Sequence, residues 1–168
     1  GNTLAGIRVA RGEVSLRRNT VGGNRTGIEL GETASGIEIT ENFVGTDALG
    51  RDQGNSNVGI FVSSTNGANR IGRPGAGNVI GWNGASGIVA YESAAPNEIV
   101  GNTIGVGPTG LPMPNGVHGI QVRNQPTLVW PPGAHGTVVI GSDVAAPGQA
   151  LVERANRIVY HPQDAISI

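Results

Sequence analysis

The chain has neither cysteine nor lysine among its 168 residues. Without cysteine, a disulfide frame and a thiolate metal site are both excluded, and redox chemistry says nothing of the compartment. Without lysine, all eleven basic residues are Arg, scattered among twelve Asp and Glu for a net charge of −1. A near-neutral chain with no basic stripe lacks the footprint of a nucleic-acid binder or of a protein that adheres to an anionic membrane surface. No apolar run approaches the roughly 18–20 residues of a membrane span. No signal-peptide pattern opens the sequence at Gly1-Asn2-Thr3-Leu4, a start that also fits a signal already removed. Phe, Tyr and Trp occur twice each, so the core must be built from small branched side chains, which suit pleated strands. Helix formers are scarce, and no long run of period 3.6 is visible.

What the chain has instead is glycine, asparagine and repetition. Glycine at 29 residues and proline at 10 suggest disorder, but Ile and Val return at the same places in a pattern, which low-complexity chains do not do. One word is Gly-Ile-x-Val, at Gly6-Ile7-Arg8-Val9, Gly27-Ile28-Glu29-Leu30, Gly59-Ile60-Phe61-Val62, Gly87-Ile88-Val89-Ala90 and Gly119-Ile120-Gln121-Val122. Ala165-Ile166-Ser167-Ile168 is a decayed sixth copy. A second word, Asn-x-Ile/Val-Gly, starts at Asn19, Asn42, Asn69, Asn78 and Asn102. A third site of alternation is Ile37-Glu38-Ile39 and Glu98-Ile99-Val100.

Each word is a short stretch of period 2, apolar in, mixed out, apolar in again. Gly and Asn between the words are the residues that accept positive φ at corners. Three short strands joined by bends and repeated every two to three dozen residues predict an all-β chain, a parallel β-helix of about six rungs. In it Ile28, Ile60, Ile88, Ile120 and Ile166 stack inside, with Glu29, Phe61, Val89, Gln121 and Ser167 on the outer face. Asn42, Asn78, Asn102 and Asn156 are expected to form an internal amide ladder, because each bend leaves backbone groups that need partners. Residues 1–168 read as one domain, with 123–137, around Trp130-Pro131-Pro132, as an excursion, since proline cannot donate inside a central ladder.

Over residues 19–122 the repeat resembles that of secreted bacterial right-handed parallel β-helix proteins. Asn42-Phe43-Val44-Gly45-Thr46-Asp47 followed by Gly50 is the most specific match. The resemblance implies a right-handed coil and a secreted or cell-surface protein. It does not imply one activity, because the fold is shared by lyases, hydrolases, epimerases, adhesins and phage spikes.

The chemistry-bearing residues are few. Glu38 and Glu98 stand on corresponding strands with a rung between them, as a carboxylate pair or as two solvated exterior residues. Asp47 and Asp52 share one loop that could touch calcium, but it lacks the dense oxygen ligands of a calcium cage, and a plain turn is favoured. His118 precedes a strand, His135 lies in the excursion, and His161 with Asp164 forms either a base with its orienting carboxylate or a turn. Trp82, Trp130 and Phe61 are candidate platforms for the apolar face of a sugar, and equally a way to cover a sheet. Ligand contact is therefore expected, if anywhere, at Trp82, Trp130, Phe61, Asp47, Asp52 and His118.

With no convergent charged cluster, the expected function is a non-catalytic extracellular rod that spaces, adheres or touches glycans. The alternative is part of a polysaccharide lyase, glycoside hydrolase or epimerase. No resident cofactor is expected. The loops Thr46 to Asn57 and Gly107 to His118 should project from one edge. The chain begins inside a repeat and stops in a strand, which predicts a segment of a longer coil or end-to-end association.

Overall fold

The repeated words become three parallel sheets. The computed structural model describes residues 1–64, 66–123, 138–140 and 156–168. Among these residues the structure is all-β, with no helix. The strands follow in triplets: β1 (Ala5–Gly12), β2 (Ser15–Arg17) and β3 (Thr20–Val21), then β4 (Thr26–Ala34), β5 (Glu38–Thr40) and β6 (Phe43–Val44). The third triplet is β7 (Ile60–Val62), β8 (Arg70–Ile71) and β9 (Val79–Ile80), and the fourth β10 (Ile88–Tyr91), β11 (Asn97–Ile99) and β12 (Thr103–Ile104). The fifth is β13 (Ile120–Arg123), β14 (Val138–Ile140) and β15 (Arg157–Ile158), after which β16 (Ile166–Ser167) opens another. Each triplet gives one strand to each sheet. Sheet A runs β1-β4-β7-β10-β13-β16, sheet B β2-β5-β8-β11-β14 and sheet C β3-β6-β9-β12-β15.

The Gly-Ile-x-Val word is the strand of sheet A, in the expected register. Ile7, Ile28, Ile60, Ile88, Ile120 and Ile166 are paired in sequence along the sheet. Ile28, Ile60, Ile88 and Ile120 are completely buried, as are Ile39, Ile71 and Ile99 of sheet B and Ile80 and Ile104 of sheet C. The core is thus made of β-branched side chains, as the shortage of aromatics requires. The Asn-x-Ile/Val-Gly word divides, however. Asn78-Val79-Ile80-Gly81 belongs to sheet C, whereas Asn69-Arg70-Ile71-Gly72 belongs to sheet B, so one word serves two corners. Of the expected excursion, Arg123 ends β13, and residues 124–137, with Trp130 and His135, lie outside the described residues.

The corners are held by asparagine. Asn19, Asn42, Asn78, Asn102 and Asn156 form one ladder, each Nδ2 donating to the next Oδ1 at 2.8–3.0 Å. The same Oδ1 accepts the backbone N–H of the preceding asparagine at 2.9–3.0 Å. One amide oxygen therefore uses two lone pairs on a single neighbour, and fixes its side chain and backbone together. A second ladder, not anticipated from the sequence, joins Asn2, Asn24, Asn55, Asn83 and Asn115. A shorter third one links Asn69 to Asn97 at 2.9 Å. The second was legible in Asn-x-x-x-Gly-Ile, which recurs from Asn55, Asn83 and Asn115.

That ladder also explains the glycine of the sheet A word. A Cβ on Gly59 would lie 2.5 Å from the Gly87 carbonyl oxygen and 2.8 Å from Asn83 Nδ2. Only a residue without a side chain lets the strand start so close to the amide column.

Two substitutions test this packing. Ile88→Asp buries an unpaired charge between Ile60 and Ile120 and should cost several kcal/mol, abolishing cooperative thermal unfolding, whereas Ile88→Val should cost about 0.5–1.5 kcal/mol. Asn78→Ala removes the acceptor for both Asn42 donors, so urea unfolding should show a loss of about 2–4 kcal/mol, against little change for the exposed Asn66→Ala.

Candidate functional site

Among the described residues, side chains that point outward line a cleft on sheet B and another on sheet A, and the loops form one edge. On sheet B the outward residues Glu38, Arg70 and Glu98 are direct register partners across β5, β8 and β11. The two carboxylates do lie two strands apart, with Arg70 between them. Arg70 donates to Glu98 at 2.7 Å, and Arg73 pairs with Glu38. This shallow cleft, about 340 Å³, is therefore lined by carboxylates already engaged by guanidinium groups. Further along the surface Glu41 takes both Arg17 and Arg18, and the Arg17 hydrogen bond chiefly holds its carboxyl below the usual range.

On sheet A the outward row carries Phe61 and, one strand on, Tyr91. Their rings meet edge to face, with centroids 5.6 Å apart and planes at 72°. Phe61 is half-buried and borders a cleft of about 260 Å³ whose lining includes Arg25, Glu29, Asn57, Val89 and Arg123. Val89 supplies an apolar floor, being 1% exposed although it stands in the outward row. Glu29 is paired with Arg8 at 3.1 Å, and Arg123 is turned onto Gln121 at 2.7 Å. Among the described residues no hydrogen bond or ion pair engages the Arg25 guanidinium, which leaves it as the cation open to a ligand. Sequence reasoning passes over Arg25 and Arg123. The available signal was their place, Arg25 two residues before Gly27 and Arg123 just after Val122, at either end of the repeated word.

The looped edge brings three of the other candidates together. After β6 the chain makes a small hairpin closed by the Thr46–Asp52 bridge, and after β12 an equivalent one closed by Val106–Pro112. The two touch, since Thr46 Oγ1 lies 3.3 Å from Met113 Sδ. The intervening triplet has no such loop and places Trp82 there, with φ of +62°. Its indole N–H donates to the Gly50 carbonyl at 3.3 Å, and its backbone N–H to the Met113 carbonyl at 3.4 Å. Trp82 thus ties the loops together, and its half-buried ring is a brace more than an open platform.

Asp47 organises its own loop. Its Oδ1 accepts the backbone N–H groups of Leu49 and Arg51 at 2.9 and 3.0 Å, and its Oδ2 meets Arg51 Nε at 2.6 Å. Desolvation pushes its pKa up, but these three bonds outweigh it and hold the carboxyl below its ordinary value. Asp52 accepts from Gly54 N–H at 2.8 Å. Both carboxylates serve turns, and no group of three or more His, Asp or Glu able to hold a metal occurs among the described residues.

His118 belongs to neither cleft. It is 7% exposed, and its Nδ1 lies 3.8 Å from the Asp164 carboxylate. Asp164 therefore faces His118 and not His161. Trp130 lies outside the described residues. No protein-family model, curated protein or solved structure matches the chain.

The Asp47 turn can be checked directly. Asp47→Ala should speed hydrogen exchange at Leu49 and Arg51 while leaving the thermal midpoint within about 2 °C, since the change lies in a surface loop. In the parent the depressed carboxyl stabilises the turn fully above its unfolded value of 3.8. Protection of the same amides should vanish as pH falls below that value through the lower folded one.

Proposed function

We propose that the three sheets are the walls of a right-handed parallel β-helix, and that this rod is a non-catalytic module of a secreted or cell-surface protein that contacts glycans. Handedness follows from the strong preference of strand–crossover–parallel strand connections for the right-handed turn. The regular order of sheets A, B and C along the chain supports the coil. The extracellular setting rests on the resemblance of the repeat to secreted bacterial proteins.

The observation that carries the functional reading is the state of the outward carboxylates. Glu29, Glu38, Glu41, Glu98 and Asp47 each hold an arginine. A glycosidase or lyase needs a group free to move a proton beside the substrate, and these are committed to partners. The sheet A cleft offers a different kind of contact. Phe61 supplies a ring against which the apolar face of a sugar can stack, and Arg25 a donor fork for a hydroxyl or carboxylate.

Calorimetry with a panel of neutral and acidic oligosaccharides tests the reading. Binding to the parent chain is expected, weakened about tenfold in Phe61→Ala, the order that one aromatic contact supplies. Unchanged affinity in that variant would remove the cleft from the reading. Incubation with the corresponding polysaccharides should leave chain length unchanged, and a rise in unsaturated-uronate absorbance would establish a lyase instead.

A further inference from the structure

The second asparagine ladder does not stop at Asn115. One triplet on, the position is occupied by His161, whose Nδ1 accepts the Asn115 backbone N–H at 3.4 Å. Three further observations place the ring in the ladder. Val159-Tyr160-His161 follows β15 as Gly81-Trp82-Asn83 follows β9, and Tyr160 repeats the positive φ of Trp82, at +61° against +62°. A Cβ on Gly119 would meet the ring of His161 at 3.0 Å, as one on Gly59 would meet Asn83 and one on Gly87 would meet Asn115. A Cβ on Gly105 would likewise meet His161 at 2.7 Å, as one on Gly45 would meet Asn83 at 2.6 Å.

An imidazole imitates an amide only when neutral, and only in part. An amide oxygen has two lone pairs, whereas Nδ1 has one. The backbone N–H of Asn115 takes that lone pair, and Asn115 Nδ2 is left buried with no partner among the described residues. His161 Nε2 is buried without a full hydrogen bond as well, with the Ile104 backbone beside the ring. Protonation of Nδ1 would turn the acceptor into a donor aimed at another donor.

We propose that His161 is an acid-sensitive latch, a neutral ring that closes the second ladder and, on protonation, releases residues 156–168 from the stack. Among the described residues, the titratable groups nearest it are Tyr160 beside it in the chain, His118 ahead of β13, and Asp164, three residues on in its own turn. Asp164 is 68% exposed at its side chain and faces His118, so it does not neutralise a charge on His161. Arg157, on β15, is exposed and adds no negative charge. Burial, reinforced by His118, holds His161 below its ordinary value of 6.5, although the Ile104 and Asn115 backbone acts in the opposite direction. The unfolded segment then takes up a proton more readily than the folded one. Stability of the last turn is full above about pH 6.5 and falls as pH drops toward the lowered folded value.

The test follows the Asn115 amide relative to that of Asn83, one triplet earlier, by hydrogen exchange of the full chain from pH 7.5 to 5. The parent is expected to lose at least tenfold of the relative protection of Asn115. His161→Asn, which restores both lone pairs, should keep it throughout and melt higher at neutral pH. His118→Gln should retain the acid response. Constant relative protection in the parent, an undiminished acid loss in His161→Asn, or disappearance of the loss in His118→Gln would each overturn the proposal. Should His161→Asn fail to fold, ring NMR of the parent decides. Titration of His161 below 6.5, in step with loss of the Asn115 amide, supports the latch, and titration at or above 6.5 overturns it.

Discussion

The structure depends on one double hydrogen bond. At these corners a carboxamide oxygen receives both the side-chain and the backbone N–H of the asparagine before it, and where the pair is buried an unmet donor costs about 1–3 kcal/mol. The bond is local to two neighbouring strand layers, and it is indifferent to how much chain separates them. Successive members of the first ladder are 23, 36, 24 and 54 residues apart, yet their bonds stay within 2.8–3.0 Å. Among the described residues, the hairpins at Thr46–Asp52 and Val106–Pro112 hold extra residues that leave the stack between the fixed points.

Because the corners and the isoleucine columns carry the structural work inside, the outer rows are released from it. Many of them hold arginine paired with Glu or Asp, a pattern that gives the sheets a charged outer face without a strong field of either sign. Exposed pairs of this kind contribute little to stability. Their consequence lies in what they deny, since a carboxylate held by a guanidinium is a poor base. The cleft beside Phe61 stands apart because Val89 makes its floor and Arg25 is left open.

Much of this was legible in the sequence where a side chain has one physical use. Ile60 and Ile88 recur in a fixed word, and their burial and register follow from period and spacing alone. Asn42, Asn78 and Asn102 were readable as a ladder for the same reason. The word alone does not separate Asn69 from them, because Asn-Arg-Ile-Gly and Asn-Val-Ile-Gly satisfy two different corners equally well. The site was much less legible. Glu38 and Glu98 could be placed on one sheet from their pattern, but Arg73 reaches Glu38 from a bend, and bends carry no period. Nothing in the pattern links Asp164 to His118, 46 residues earlier in the chain, which folding sets against it. His161 itself could not be recognised as an amide substitute, since that role is defined by the layer beneath it.

The ladders also have a direction. In all three, Nδ2 of the earlier asparagine donates to Oδ1 of the later one, so the carboxamide dipoles point the same way. The first column therefore runs from an acceptor at Asn19 to a donor at Asn156, whereas His161 closes the second. A layer added by the same rule can meet this stack only head to tail, never face to face across a two-fold axis. Two such columns opposed across a two-fold axis would set donor against donor at one end, or acceptor against acceptor at the other.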